Sequence, residues 1–354
     1  MAHNQTTIAD IAKAAKVSAG TVSNALNDRK GISPDKKQEI LEIAERLGYR
    51  KSTEQREARE IRFVLFKRHG FVVDDTPFFS QLISGIEAAL RINGYRMLIT
   101  QLNLSENHTS ETIESLVCDS CNGVLVLATE MIRDDLALFN GLKKPVVFLD
   151  NCFRDDHADC VSIANEESAY AATNLIIQAG HSNIGLLSSS THINNFYYRK
   201  RGFETALRDF GLELSPVHEV SICPTLEGSY RDMKAILAEG KNEFPTAFFA
   251  ENDIIAQGAI RALKEYGIRV PEDVSIVGFD DMPFCELLTP RLTTVNVNKQ
   301  NIGQEAVALL LRRIEDDRVA AISTFVKTEL VKRDSLVDVK SDKTLNRVPV
   351  ADML

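Results

Sequence analysis

Ile8, Ile11, Ala12 and Ala15 recur at the spacing of one helical face, and Thr7 ahead of them is a good N-cap, so the pattern predicts a helix over 7–15. Lys16-Val17-Ser18 then makes a short turn, and Ser18 caps a second helix whose inward positions are Val22, Ala25 and Leu26. Ser33-Pro34 starts a third, with Ile40, Ile43, Ala44 and Leu47 as its buried stripe and Gly48 ending it. From Ile61 onward the pattern changes. Short apolar runs at 61–66, 97–101, 123–127, 146–149, 184–187, 248–250 and 274–278 alternate with amphipathic stretches at 78–93, 167–179, 198–211 and 254–266. Such alternation builds parallel sheets flanked by helices, and there are more strands than one sheet comfortably needs. The expected fold class is α/β: a small all-α unit of three helices, then two lobes of parallel sheet, with a ligand crevice at the carboxyl ends of the strands.

Length and composition agree with two or three folding units: 354 residues, 44% of them hydrophobic. No run of eighteen apolar residues occurs, and residues 1–16 are polar and charged, so neither a membrane span nor a signal peptide is expected. A soluble, cytoplasmic protein follows. The six cysteines form no small-domain framework and read as reduced thiols, so no disulfide is expected. Cys118-Asp119-Ser120-Cys121 lacks a second ligand pair, and Cys152 and Cys160 are unsuitably spaced, so no metal site is expected. No G-x-S-x-G, H-E-x-x-H, phosphate-cradling G-x-x-x-x-G-K or G-x-G-x-x-G occurs, which argues against an enzyme and against a cofactor.

The net charge of −9 argues against a nucleic-acid partner until it is divided. Residues 1–60 hold 11 Lys+Arg against 9 Asp+Glu, a net of +2, which leaves 30 against 41, or −11, for the rest. Only the first segment is positive, and the modest excess permits DNA binding there. A trihelical unit of this kind lays its second helix in the major groove. The outward face is Ala19, Gly20, Thr21, Ser23, Asn24 and Asn27. Asn24 suits bidentate pairing with adenine, Thr21 and Ser23 suit phosphate oxygens, and Ala19 suits a thymine methyl. An ordinary helical hairpin with a solvated polar face fits the same spacing.

Thr7-Ile8-Ala9-Asp10-Ile11-Ala12, the run from Val17 through Thr21-Val22-Ser23-Asn24 to Asn27, and Leu47-Gly48-Tyr49 together resemble the DNA-binding headpiece of the LacI/GalR repressor family. The resemblance implies a DNA face made of Thr7, Ser18, Ala19, Gly20, Thr21, Ser23, Asn24, Asn27 and Tyr49. Asn24 stands where the family often has Arg, which implies a changed operator preference. The likeness weakens over residues 50–60, where relatives carry a hinge helix with a Leu that wedges into the minor groove. Here Ala58 takes that place, a poor wedge. A DNA-ordered hinge and a charged linker both fit.

The rest of the chain resembles the family's core, itself similar to periplasmic sugar-binding proteins. The matching pieces include Thr76-Pro77-Phe78-Phe79, Pro145 through Leu149-Asp150, Arg199-Lys200-Arg201-Gly202-Phe203, Ala250-Glu251-Asn252-Asp253, and Val277-Gly278-Phe279-Asp280-Asp281. A sugar needs planar charged or amide groups for its vicinal hydroxyls and aromatic rings for its apolar patches. Arg199, Asn252 and Asp280 supply the first, Phe78 and Phe79 the second, with Tyr230 as an aromatic wall and Asp150 as a weaker polar candidate. Each has a bland alternative as a core ring, a helix cap or an ion-pair partner.

The resemblance implies a homodimeric repressor of carbohydrate-utilisation genes on a near-palindromic double-stranded DNA operator, controlled by a small sugar-like effector in the interlobe cleft. The alternative is a sugar sensor whose DNA role has weakened or lapsed. The expected divisions are a headpiece at 1–49, a hinge at 50–60 and a sensor at 61–337. Its first lobe takes 61–162 plus 293–322, its second 163–292 plus 323–337, and a tail at 338–354 lacks a sustained heptad.

Overall fold

A computed structural model describes residues 8–26, 32–47, 59–74, 77–106, 108–153, 157–239, 244–316, 318 and 320–339. It divides into two units, residues 1–59 and 60–354. In the first, α1 (Ile8–Ala15), α2 (Ala19–Leu26) and α3 (Pro34–Arg46) enclose a core of Ile11, Ala15, Val22, Ala25, Ile40, Ile43 and Ala44. Lys16 takes a left-handed conformation at the corner, and the Ser18 hydroxyl accepts the Thr21 N–H at 3.1 Å to cap α2. Leu47, expected in the buried stripe, is 38% exposed because α3 stops at Arg46 and leaves it on the closing turn. Thr7, Asn27, Gly48, Tyr49 and residues 50–58, with the expected hinge, lie outside the described residues.

The second unit holds two parallel sheets. The first lobe runs β1 (Glu60–Lys67), α4 (Phe78–Ile92), β2 (Arg96–Asn103), α5 (Thr109–Cys118), β3 (Gly123–Leu127), β4 (Val146–Leu149) and β5 (Asp159–Ile163). After Ile163 the chain crosses to the second lobe: α6 (Asn165–Gln178), β6 (Ile184–Ser189), α7 (Asn194–Asp209), β7 (Glu219–Ile222), α8 (Leu226–Ala238), β8 (Ala247–Ala250), α9 (Asp253–Glu265) and β9 (Ser275–Val277). It returns through β10 (Thr294–Asn296) to α10 (Lys299–Glu315) and β11 (Ser323–Val326), then leaves again by β12 (Glu329–Val331), which pairs antiparallel with β10. The sheet orders are β11-β5-β4-β3-β1-β2 and β7-β6-β8-β9.

The central strands are apolar on both faces: every residue of β3, β5 and β8 is buried, as helix-covered parallel strands require. At the α4–α10 crossing a Cβ on Gly303 would sit 2.9 Å from the Leu82 carbonyl oxygen, so only glycine lets these helices approach so closely. That approach brings the first residues of the two helices together, with Lys299 Nζ 5.4 Å from the Phe78 ring centroid.

Two expectations are corrected. Residues 323–326, expected in the second lobe, form β11, which extends the first sheet in parallel with β5. The lobe crossing therefore falls after Val326, where β12 takes over. Cys152 and Cys160, expected as free thiols, are joined in a disulfide with Cα atoms 5.6 Å apart. Pairing of Phe148 with Cys160 across the β4–β5 ladder brings the end of β4 beside the start of β5, a proximity invisible in linear spacing. Cys118 and Cys121 are free, and no group of metal-binding type occurs among the described residues. No helix among them is long and apolar enough to cross a membrane.

Candidate functional site

At the carboxyl ends of the strands, where the lobes meet, Val72, Phe78, Phe79, Thr129 and Asp150 from the first lobe face Ile193, Asn195, Phe196, Arg199, Asn252 and Asp280 from the second. They line a residual cavity of about 30 Å³. Six of the seven effector positions expected from sequence thus converge on one place.

Arg199, on α7, is 4% exposed. Its guanidinium lies 3.1 Å from Asp280 Oδ1, donates through Nε to Asn165 Oδ1 at 2.9 Å and through Nη1 to the Glu251 carbonyl at 2.7 Å. It also stacks 3.7 Å over the centroid of the Phe279 ring. Asp280 and Asp281 follow β9 with φ of +114° and +50°, and Asp150 follows β4 with φ of +60°. Non-glycine residues in this region are strained, and here all three carry carboxylates at the junction. Lys299, 2% exposed, holds the turn from below: Nζ donates to the carbonyls of Asp280, of Asp281 at 3.3 Å and of Val297 at 3.2 Å, 5.4 Å from the Phe78 ring centroid. Arg333 pairs with Asp281 at 2.8 Å.

Asp150 Oδ2 accepts from the Thr129 hydroxyl at 2.7 Å, while its carbonyl accepts from Asn195 Nδ2 at 3.1 Å. Asn195 Oδ1 in turn accepts from Asn165 Nδ2 at 3.0 Å, so an amide chain runs from Asp150 in one lobe to Arg199 in the other. Burial pushes Asp150 up to about 6, and it raises Asp280 against the opposing pull of Arg199 and Lys299. Burial likewise lifts Glu251 to about 8 and Asp253 to about 7, and lowers Lys299. Asn252 Oδ1 accepts the Ile255 N–H at 2.8 Å, so the residue caps α9 as well as lining the cavity.

Tyr230 is not part of this constellation. Its hydroxyl donates to Glu265 at 2.8 Å, and Arg261 stacks 3.9 Å over its ring. Glu265 ends α9, about 18 Å along the helix from the cleft end at Asp253. The residue belongs to the α8–α9 face because the helical phase of α8 turns it there. The sequence reading missed Val72, Thr129, Ile193, Asn195, Phe196 and Lys299. Only the position of Ile193 and Asn195, just beyond a predicted strand, offered a signal.

On α2, Ala19 and Gly20 are exposed, and Thr21 and Asn24 are half-buried. The Thr21 and Ser18 hydroxyls are 2.8 Å apart. Thr7, Asn27 and Tyr49 lie outside the described residues, as does the side chain of Ser23.

A helix-turn-helix head and a body of two hinged parallel-sheet lobes define a DNA-binding regulator with a ligand-binding body. Residues 7–52 match the model of the lacI family of bacterial regulatory proteins, and residues 173–336 match that of a periplasmic binding protein-like domain. The HTH-type transcriptional repressor PurR of Pasteurella multocida is 31% identical over 93% of this chain and 98% of its own length, as is PurR of Haemophilus influenzae. Among solved structures, the complex of transcriptional regulator CelR with cellobiose matches with a TM-score of 0.70 at 24% identity, covering 94% of this chain and all of that one. The lac repressor dimer bound to operator and the anti-inducer ONPF matches with a TM-score of 0.70 at 22% identity over the same shares. A regulator from Enterococcus faecium with bound ribose matches at 25% identity and a TM-score of 0.67 over 79% of this chain and 99% of its own. The chain belongs to the lacI family and is a DNA-binding transcriptional repressor, not an enzyme.

Proposed function

We propose that this repressor works in the cytoplasm as a homodimer on a near-palindromic operator, and that a small sugar or sugar derivative in the interlobe cleft controls it. The genes it governs are then those of carbohydrate use. The observation that carries the reading is the convergence of Arg199, Asp280, Asp150 and Asn252 with Phe78 and Phe79 on one cavity between the lobes. Paired charged and amide groups suit vicinal hydroxyls, and the rings suit the apolar face of a pyranose or furanose. The cellobiose and ribose bound to the similar regulators support the same chemistry. A ligand that favours one lobe arrangement shifts operator affinity by its difference in affinity for the two states. The expected segments serve this scheme as headpiece (1–49), hinge (50–60) and sensor (61–337).

A nucleobase is the second reading. Phe78 and Phe79, with ring centroids 5.1 Å apart, offer a face for a flat heterocycle, and the Asp150 and Asp280 carboxyls offer acceptors for its N–H groups. A thermal-shift panel of mono- and disaccharides, phosphorylated sugars and nucleobases separates the two. A ligand at 100 times its Kd adds about 2.7 kcal/mol of stability. The active compound should then change the affinity for DNA upstream of the repressor's own gene, read by fluorescence anisotropy at two salt concentrations. Stabilisation by nucleobases alone rejects the sugar, and a panel without any hit rejects both. In the same assay Asn24→Ala should lose about 1–3 kcal/mol of sequence preference. Uniform weakening on all DNA would remove Asn24 from base readout.

A further inference from the structure

The segment between β1 and α4 is organised by one carboxylate. Glu130, 2% exposed and three residues beyond the end of β3, accepts the backbone N–H groups of Arg68 at 3.0 Å, His69 at 3.1 Å and Gly70 at 2.8 Å on Oε2. Its Oε1 accepts those of Val72 at 3.0 Å and Val73 at 3.1 Å and lies 3.3 Å from His69 Nδ1. Burial opposes its ionisation, and the hydrogen bonds from His69, Gly70 and Val72 outweigh burial, bringing the carboxyl down to about 2. Five backbone donors of a turn that has no ladder to bond to are thereby satisfied by a single carboxylate. Gly70 supplies the left-handed turn with φ of +79°, the Asp74 N–H returns to the Gly70 carbonyl at 3.0 Å, and Lys67 pairs with Asp74 to tie the two ends of the segment.

The tip of this loop reaches the other lobe. Val72 packs with Ile193 and Phe196 in a small buried cluster of their own, apart from the main cores, and all three line the cavity. The space of about 30 Å³ among these residues is far below the roughly 300–1,000 Å³ of ligand pockets, so the lobes leave no room for a ligand there in this structure.

We propose that Glu130 is a positioning residue for the effector site: it folds residues 68–74 into a lid whose Val72 closes the cleft against Ile193 and Phe196. The idea rests on the effector site lying in this cleft, and entry then requires the three-residue contact to part while the loop keeps its shape. Gln at position 130 retains one acceptor oxygen and turns a donor toward backbone N–H groups, so the loop comes undone. Val72→Ala leaves the Glu130 cradle intact and removes only the latch.

The test needs no effector, so its outcome is separate from the identity of the ligand. In the full-length protein carrying Thr129→Cys on the cavity wall, alkylation by iodoacetamide is followed peptide by peptide by mass spectrometry. Native Cys285, fully buried in the second lobe, is the internal control. Adding Val72→Ala or Glu130→Gln should speed labelling at position 129 by about tenfold, as expected for a local opening, with Cys285 unchanged. Glu130→Gln should in addition abolish hydrogen-exchange protection of the amides of residues 68, 69, 70, 72 and 73, and Val72→Ala should spare it. Unchanged labelling in both folded variants, or an equal rise at Cys285, overturns the proposal.

Discussion

Replacing Arg199 by Ala should destabilise the sensor unit by about 3–5 kcal/mol, the range for breaking a buried ion pair on one side. The guanidinium is almost wholly enclosed, so its loss leaves the Asp280 carboxylate without its neighbour at 3.1 Å and strips donors from Asn165 and the Glu251 carbonyl at once. Phe279 also loses the plane stacked on it. Equilibrium unfolding in urea reads the effect directly. The double variant with Asp280→Asn should recover part of the loss, because the second change removes the stranded charge. A loss below about 1 kcal/mol, the scale of a solvated pair, would mean that water reaches the Arg199–Asp280 pair.

The second large effect is on pH. Glu251, Asp253 and Asp150 sit in the folded protein at about 8, about 7 and about 6, raised chiefly by burial from ordinary values of 4.5 and 3.8. Around Glu251, Arg199 and Lys200 favour ionisation and Glu219 disfavours it. Groups raised in this way bind protons more tightly folded than unfolded. Their contribution is whole below the unfolded value and is lost as pH rises through the folded one. Stability of the effector-free protein should therefore fall between about pH 4 and pH 8, by several kcal/mol at about 1.4 kcal/mol per unit of difference. Glu130 acts in another window: its lowered value contributes stability above about 4.5 that disappears on the way to about 2, so it does not contribute to the alkaline decline. Glu251→Gln should flatten the descending limb in a series of urea titrations, and a profile already flat in the parent protein would contradict the burial argument.

Why some of this was readable in the chain and some not has a physical basis in each case. Val124 through Leu127 read as a strand because burial on both faces leaves an unbroken apolar run. β11 escaped notice because, as an edge strand, it alternates exposed and half-buried residues over only Ser323–Val326. Arg199 and Asp280 were legible as charged groups at a helix start and a strand end, where burial demands a partner. Val72, Ile193 and Phe196 carry no chemistry of their own, and nothing beside Glu130 in the chain marks it, because the five amides that converge on it come from a segment 57–62 residues earlier. Tyr230 shows the reverse error: an aromatic residue in a loosely matching stretch, whose direction is set by helical phase rather than by neighbours in sequence.

The return of the chain to its first sheet has a bearing on how the protein is made. During synthesis the four strands β6–β9 of the second sheet emerge in one continuous stretch, complete before α10 and β11 exist. The first sheet, begun earlier, waits for α10 to cover β3, β4 and β5 and for β11 to occupy its far edge beside β5. Chains that stop before α10 therefore carry a first sheet with a bare face, and chains that stop between α10 and β11 carry one with an unprotected edge at β5, features that invite aggregation and proteolysis. Both the first sheet and the β10–β12 pair are thus completed only by the last strands of the body, β11 and β12.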